Sequence, residues 1–432
     1  MSAPEPHQAT HRTIEAVWRI ESAHVVAGLT RLTRDVALAE DLAQEALVAA
    51  LEQWPHSGVP DRPGAWLVTA AKRRAVDLFR HNAVVRRKHE ELARELEAQE
   101  QTPPDLDAPL DETISDDLLR LVFVACHPTL SRESRAALAL RLLGGLSTEE
   151  IARAFLTPEA TIAQRIVRAK RTLADHRIPF EVPWGPEFKA RLGSVLEVIY
   201  LIFNEGYSAT AGEDLMRPAL CEEALRLGRI LAELTPGEPE VHGLVALMEI
   251  QASRARARVT PTGEPVLLLD QNRAQWDQLL IRRGLAALER ARRIGGPAGP
   301  YQLQADIAAC HARALQPADT DWPRIVDLYG ELLQLIPSPV IGLNHAVAVG
   351  MAQGPQAALP LVEALAEEPT LGRYHLLPSV RADLLFKLGR LPEARVAFER
   401  AAALTRNTRE RDLLLSRAAA CEASLEGGSP PA

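Results

Sequence analysis

Apolar residues recur at helical spacing along most of the chain. Between Thr13 and Leu51 they fall at Ile14, Val17 and Trp18, then at Val36, Leu38, Leu42, Ala46, Leu47 and Leu51, which predicts two or three helices. The stretch His56 to Gly64, rich in Gly and Pro, interrupts the pattern and reads as a loop. A helix starting near Ala65 then turns Trp66, Leu67, Ala70 and Ala71 inward and Lys72, Arg73, Arg74 and Arg80 outward. The pattern fades from 90 to 115, a proline-containing acidic linker, and resumes at Asp116 through Leu118, Leu121, Val122 and Val124. Further on, helices are expected over Phe188 to Phe203, ending in Asn204-Glu205-Gly206-Tyr207, over Ala219 to Leu234 and over Val241 to Arg254, with a loop from Thr260 to Pro265. Arg324 to Leu335, Ala346 to Gly354, Ala357 to Leu365 and Gly389 to Asn407 then repeat a helix, short turn, helix outline. Each such pair needs a neighbour to bury its apolar face, so an α-solenoid or compact stack is expected.

One stretch is more specific. Ser147 followed three residues later by Glu150 is a capping box that opens a short helix with Ile151, Ala154 and Phe155 on its apolar side. A second helix follows at once, with Thr157 as its expected cap and Pro158 at its first position. Ile162, Ile166, Ala169 and Leu173 recur on one side of it, leaving Thr161, Gln164, Arg165, Arg168 and Arg171 outside. Two short helices joined by a tight turn, the second carrying amide and guanidinium groups, fit a helix-turn-helix with its recognition helix in a major groove. A solvated amphipathic hairpin would show the same pattern.

The 432 residues exceed what one hydrophobic core fills, so two or three domains are expected. Aromatics at 4% with abundant Ala and Leu favour an all-α protein. The net charge of -8 argues against indiscriminate coating of nucleic acid, but the charge is unevenly spread. Lys72, Arg73, Arg74 and Arg80, followed by Arg86, Arg87 and Lys88, make the footprint of a phosphate-binding helix. Glu40, Asp41, Gln44 and Glu45 line what reads as an exposed acidic and amide face, either solvated or docked on a partner. Four cysteines without CxxC spacing imply neither a zinc site nor a disulfide framework, and a reducing cytoplasm is expected. No stretch reaches the ~20 apolar residues of a membrane span.

The order "AEDLAQEAL", Trp54, a Gly/Pro loop, "GAWLVTAAKRRAVDLFRH", a linker and "LSTEEIARAFLTPEATIAQRIVRAKRTL" resembles bacterial RNA polymerase sigma factors of the extracytoplasmic-function group. The resemblance covers about residues 10 to 178. It implies a sigma-70 region 2 helical domain over 10–89, a linker over 90–115 that threads the RNA exit path, and a region 4 helix-turn-helix domain over 116–180. Glu40, Asp41, Gln44 and Glu45 would dock on core RNA polymerase. Trp66, Lys72, Arg73, Arg74 and Arg80 would contact the promoter DNA's −10 element, and the loop Ser57 to Pro63 would receive a flipped base. Thr161, Gln164, Arg165, Arg168 and Arg171 would read the −35 element. At the turn, Leu156 stands where the family usually carries glycine. "GRLPEARVAFERAAALTRN" resembles the second helix of a tetratricopeptide repeat, and "YLIFNEGYSAT" and "LDQNRAQWD" resemble signatures of a subgroup whose long C-terminal extension, here 186–426, is TPR-like.

Within that extension Asn204, Glu205, Asp270, Asn272, Arg273, Trp276 and Asp277 are either a ligand or partner site or a buried structural network. The leading expectation is a sigma factor with no catalytic residues and no metal or other cofactor, whose extension regulates or supports it through intramolecular contact with the sigma domains. A helix-turn-helix regulator with a repeat-type sensor is the alternative. An enzyme built on Asp270, Arg273 and Asp277 is disfavoured, because no phosphate loop, nucleophile elbow or metal spacing accompanies them.

Overall fold

The structure is a computed structural model and describes residues 6–93, 111–155, 157–208, 216–260, 264–372 and 374–426, the side chains of 6–9, 81–93, 111–116, 153 and 424–426 excepted. The described residues form eighteen α-helices and, apart from one isolated bridge between Val259 and Pro265, no β structure. They divide into two compact units, 1–199 and 200–432.

The first unit holds α1 (Pro6–Thr33), α2 (Val36–Ser57), α3 (Pro63–Ala93), α4 (Asp111–Ala125), α5 (Arg132–Leu142), α6 (Thr148–Ala154), α7 (Glu159–Asp175) and the larger part of α8 (Gly185–Tyr207). Arg34 adopts a positive φ of 54°, and Asp35 caps α2 by accepting from the amides of Ala37 at 2.8 Å and Leu38 at 3.1 Å. Helix α2 runs on through Pro55 to Ser57, so the loop before α3 is shorter than the composition suggested. The expected linker is shortened at both ends, because α3 continues to Ala93 and α4 begins at Asp111, while 94–110 lie outside the described residues.

Helix α1 is the hub. Its Ile14, Trp18, Val25, Val26 and Leu29 are buried, and it packs on α2, α3 and α4. The turn between α5 and α6 also rests on it. Gly145 has φ +66° there, and a Cβ would come within 2.5 Å of Ser22 Oγ, so both conformation and space call for glycine. The amino-terminal part of α8 completes the same core. Phe188 packs against Phe123 with ring centres 5.4 Å apart and planes tilted by 54°, Arg191 donates to the Phe123 carbonyl at 3.2 Å, and Ser194 donates to the Cys126 carbonyl at 2.7 Å.

The second unit continues with α9 (Pro218–Leu234), α10 (Pro239–Ala252), α11 (Gln278–Ile294), α12 (Pro300–Arg313), α13 (Trp322–Leu335), α14 (Pro339–Gln353), α15 (Pro355–Leu365), α16 (Leu376–Lys387), α17 (Leu391–Leu404) and α18 (Thr408–Glu426). Most helices here start with proline in the first turn, where its missing N–H has no partner to lose. From α9 onward each helix packs on the next in the chain, as a helical stack requires. Helix α10 is the exception to amphipathicity: Val241 to Ile250 are all buried, because α9, α11 and α12 surround it. Gly243 lets α12 approach, its Cβ position lying 2.7 Å from the Gln302 amide nitrogen.

Candidate nucleic-acid interface

The capping box forms as the spacing required: Glu150 accepts from the Ser147 amide at 2.8 Å, and Ser147 Oγ accepts from the Glu150 amide at 3.1 Å. Thr157, however, does not cap α7. Pro158 occupies the N-cap without a side-chain bond, and Thr157 Oγ1 turns instead to the Phe155 carbonyl at 3.1 Å. Leu156 lies outside the described residues. Ile162, Ile166, Ala169 and Leu173 are buried, which leaves Gln164, Arg168 and Arg171 exposed and Thr161 and Arg165 half-buried on the other face. Arg171 pairs with Asp175 at 3.5 Å, one turn on, a surface pair worth about 0–1 kcal/mol and easily exchanged for a phosphate.

On α3, Arg73 and Arg80 are exposed and Lys72, Arg74 and Trp66 half-buried. Trp66 stands edge-on to the buried Trp54 at 5.3 Å and 70°. An open groove of about 610 Å³ runs along this face, lined by Gln53, Trp66, Thr69, Arg73 and Arg74. An aromatic edge, a hydroxyl and two guanidinium groups suit unpaired nucleotides, since stacking and phosphate pairing are both on offer. The residues facing that groove come from α2 and α3 rather than from the 57–63 loop.

The α2 face departs from expectation at Glu40. Asp41 and Glu45 are exposed and Gln44 is half-buried, but Glu40 is only 4% exposed. Its carboxylate takes Arg141 Nε at 2.5 Å and an ion pair from Lys170, joining α2 to α5 and α7. Helical periodicity places Glu40 beside Asp41, Gln44 and Glu45, yet two cations remote in sequence bury it. Arg31 to Asp117 at 3.0 Å and Arg19 to Glu150 at 2.8 Å tie the same two groups of helices together. Spacing did not single out Arg141, Lys170 or Asp117. The one local signal is a charged Arg141 inside the otherwise apolar run Ala136 to Leu143. Glu45 is held by Arg74 at 2.7 Å across the α2–α3 groove.

In the second unit several members of the polar cluster make structural bonds. Asp277 caps α11, accepting from Leu279 at 2.8 Å and Leu280 at 3.1 Å, and Asn272 caps the single turn Arg273–Gln275. Arg273 is buried over Trp276 and donates to the carbonyls of His311 at 2.8 Å and Ala314 at 2.7 Å, which satisfies the end of α12. Glu205 pairs with Arg217. Asn204 sits in the last turns of α8, and Asp270 is exposed. Missed from sequence were Arg254 and Arg258, which converge on Tyr207.

A basic face on α3 and a helix-turn-helix ending in α7, carried on one helical scaffold, define a protein of the sigma-70 type. The family described as Sigma-70 region 2 matches residues 20–84, and that described as Sigma-70, region 4 matches residues 120–173. Residues 191–292 match a family of unknown function, DUF6596. An uncharacterised protein of Rhizobium meliloti (strain 1021) is 46% identical over 387 residues, covering 89% of this chain and 90% of that one. The probable ECF RNA polymerase sigma factor SigI of Mycobacterium tuberculosis is 27% identical over 172 residues, 40% of this chain and 58% of its own. The ferric citrate uptake sigma factor FecI of Escherichia coli (strain K12) is 26% identical over 174 residues, 40% of this chain and 93% of its own. No solved structure matches. The chain belongs to the extracytoplasmic-function group of the sigma-70 family, in a form that carries a long DUF6596-containing extension. No described helix is long and apolar enough to cross a membrane.

Proposed function

We propose that the protein binds core RNA polymerase and directs promoter-specific initiation, performs no covalent chemistry, and is regulated or supported by its extension. The α7 face of exposed Gln164 and Arg168 with half-buried Arg165 carries this proposal, because its amide and guanidinium groups match the donor and acceptor pattern of major-groove base edges. Arg73, Arg74 and Trp66 along the α3 groove hold the melted −10 strand, with Lys72 and Arg80 adding phosphate contacts. Asp41, half-buried Gln44 and Glu45, the last paired with Arg74, form the accessible part of the docking face; Glu40 joins it only after Arg141 and Lys170 let go.

Reconstitution with core polymerase and mapping of transcript starts is the decisive experiment. Run-off transcripts from one promoter class support the proposal, and loss of core binding in Asp41→Arg, with the fold unchanged, separates it from a helix-turn-helix regulator that never docks. Absence of directed initiation rejects it. A chain ending at Ile199, which keeps the α8 contacts to Phe123 and Cys126, tests the extension: equal transcription means that the extension neither restrains nor supports.

A further inference from the structure

A cavity of about 270 Å³ lies within the second unit, between the connection from α10 to α11 and the helices α16 and α18. We propose that it binds a small organic carboxylate that carries a hydrogen-bond donor near the carboxyl group and an apolar tail. The proposal rests on the extension alone and does not depend on how the sigma domains act.

Charge is the first observation. Arg254 and Arg258 both line the cavity, and among the described residues neither is ion-paired to a carboxylate. Arg254 donates to Tyr207 Oη, at 3.1 Å from Nε and 2.5 Å from Nη2. Arg258 lies 3.8 Å from the centre of the Tyr207 ring and gives one N–H to the Tyr207 carbonyl, and among the described residues the rest of its guanidinium is uncommitted. Burial pushes the Arg258 pKa down, the mark of a cation short of compensation. Glu410 also lines the cavity but bonds elsewhere: its Oε2 accepts from Thr405 Oγ1 at 2.8 Å and sits 3.3 Å from His375 Nε2. Burial alone would raise the Glu410 carboxyl, yet the nearby His375 imidazole and the hydrogen bond from Thr405 hold it below the usual carboxylate range, so it is ionised at neutral pH. Glu410 is the one carboxylate in a lining that holds two guanidinium groups, so the cavity favours a further anion.

Gln271 supplies the second, independent observation. It is 5% exposed, its Nε2 donates to the Val266 carbonyl at 3.2 Å, and its Oε1 has no partner. A buried acceptor left without a donor is destabilising, and a ligand O–H or N–H would relieve it. Apolar contact comes from Val266, Leu268, Leu376 and Leu414. A carboxylate on Arg258, a donor on Gln271 and an alkyl tail along the leucines use the open guanidinium, the open amide oxygen and the apolar wall in a space too small for a folded partner.

The test is calorimetric titration of the full chain with β-hydroxyoctanoate, octanoate and octanol. The hydroxy acid should bind best, octanoate several-fold more weakly, and octanol not at all at the same millimolar concentrations. Arg258→Met keeps the stem that packs on Tyr207 and should weaken the hydroxy acid by about tenfold or more. Gln271→Leu should abolish the preference for the hydroxy acid over octanoate and leave octanoate binding unchanged; this variant keeps the test decisive should Arg258→Met not fold. Octanol binding as tightly as the acids, no binding by any of the three, or a hydroxy-acid preference that survives Gln271→Leu overturns the proposal.

Discussion

The ion-pair cluster at Glu40 makes the sharpest energetic prediction. Glu40 is 4% exposed, while the side chains of Arg141 and Lys170 keep 19% and 16% of their surface in water. Removing one member of a buried ion pair costs roughly 3–5 kcal/mol, because the remaining charge is left uncompensated. Here the two cations retain some water and Arg141 keeps its bond to the Leu146 carbonyl at 3.1 Å, so Glu40→Gln should fall near or below the low end of that range. A cycle with Lys170→Met isolates the pair, with a coupling of roughly 0.5–3 kcal/mol expected for groups in direct contact. The exposed Glu45–Arg74 pair serves as the control, at about 0–1 kcal/mol. The chain has two compact units, so a single global unfolding energy is ill-defined; native-state hydrogen exchange of α2 and α7 amides reads the local opening instead. Lys170→Met should also tighten core polymerase binding, about tenfold for each 1.4 kcal/mol of closure removed. A coupling within error of zero, with α7 protection unchanged, refutes a closed contact between α2 and α7.

Other expectations follow from single sites. Arg168→Ala should weaken holoenzyme binding to its promoter by about 1–3 kcal/mol if the guanidinium reads a base edge, or lower the salt slope by about 0.9 if it only meets a phosphate, and binding isotherms at several salt concentrations distinguish these. Gly243→Ala drives a methyl to within 2.7 Å of the Gln302 backbone nitrogen and should destabilise the second unit by about 1–3 kcal/mol, read as a lower melting temperature. Gly193→Ala, in α8 with nothing within 4 Å, should stabilise by about 0.5–1 kcal/mol. His311, buried and edge-on to Trp322, has its pKa pushed down to about 4 by burial, with Arg254 and Arg273 adding to it. Its folded pKa lies below its unfolded value, so its contribution is fully present above pH 6.5 and declines as pH falls toward 4, at up to about 1.4 kcal/mol per unit. His311→Asn should flatten that part of the stability profile measured by thermal melts.

Much of the site was legible because its signals are local. The Ser147–Glu150 box and the buried stripe Ile162, Ile166, Ala169, Leu173 depend on neighbours three or four residues away, and both formed as spaced. Thr157 failed as a cap because Pro158 took that position. The Asn272–Asp277 cluster shows the opposite limit: residues that read equally as a ligand site or a structural network make caps and, through Arg273, bonds to the end of α12, up to 41 residues away. Glu40 failed for the same reason, since its partner Arg141 is 101 residues along the chain.

The sequence by itself determined the helices, the basic outer faces of α3 and α7 and the succession of packed helices in the second half, because helical period, caps and proline positions are short-range properties. Only the tertiary structure decided which charges are free. Burial depends on what packs against a face, and neither the closure of Glu40 by Arg141 and Lys170 nor the convergence of Arg254 and Arg258 on Tyr207 is written in any local period.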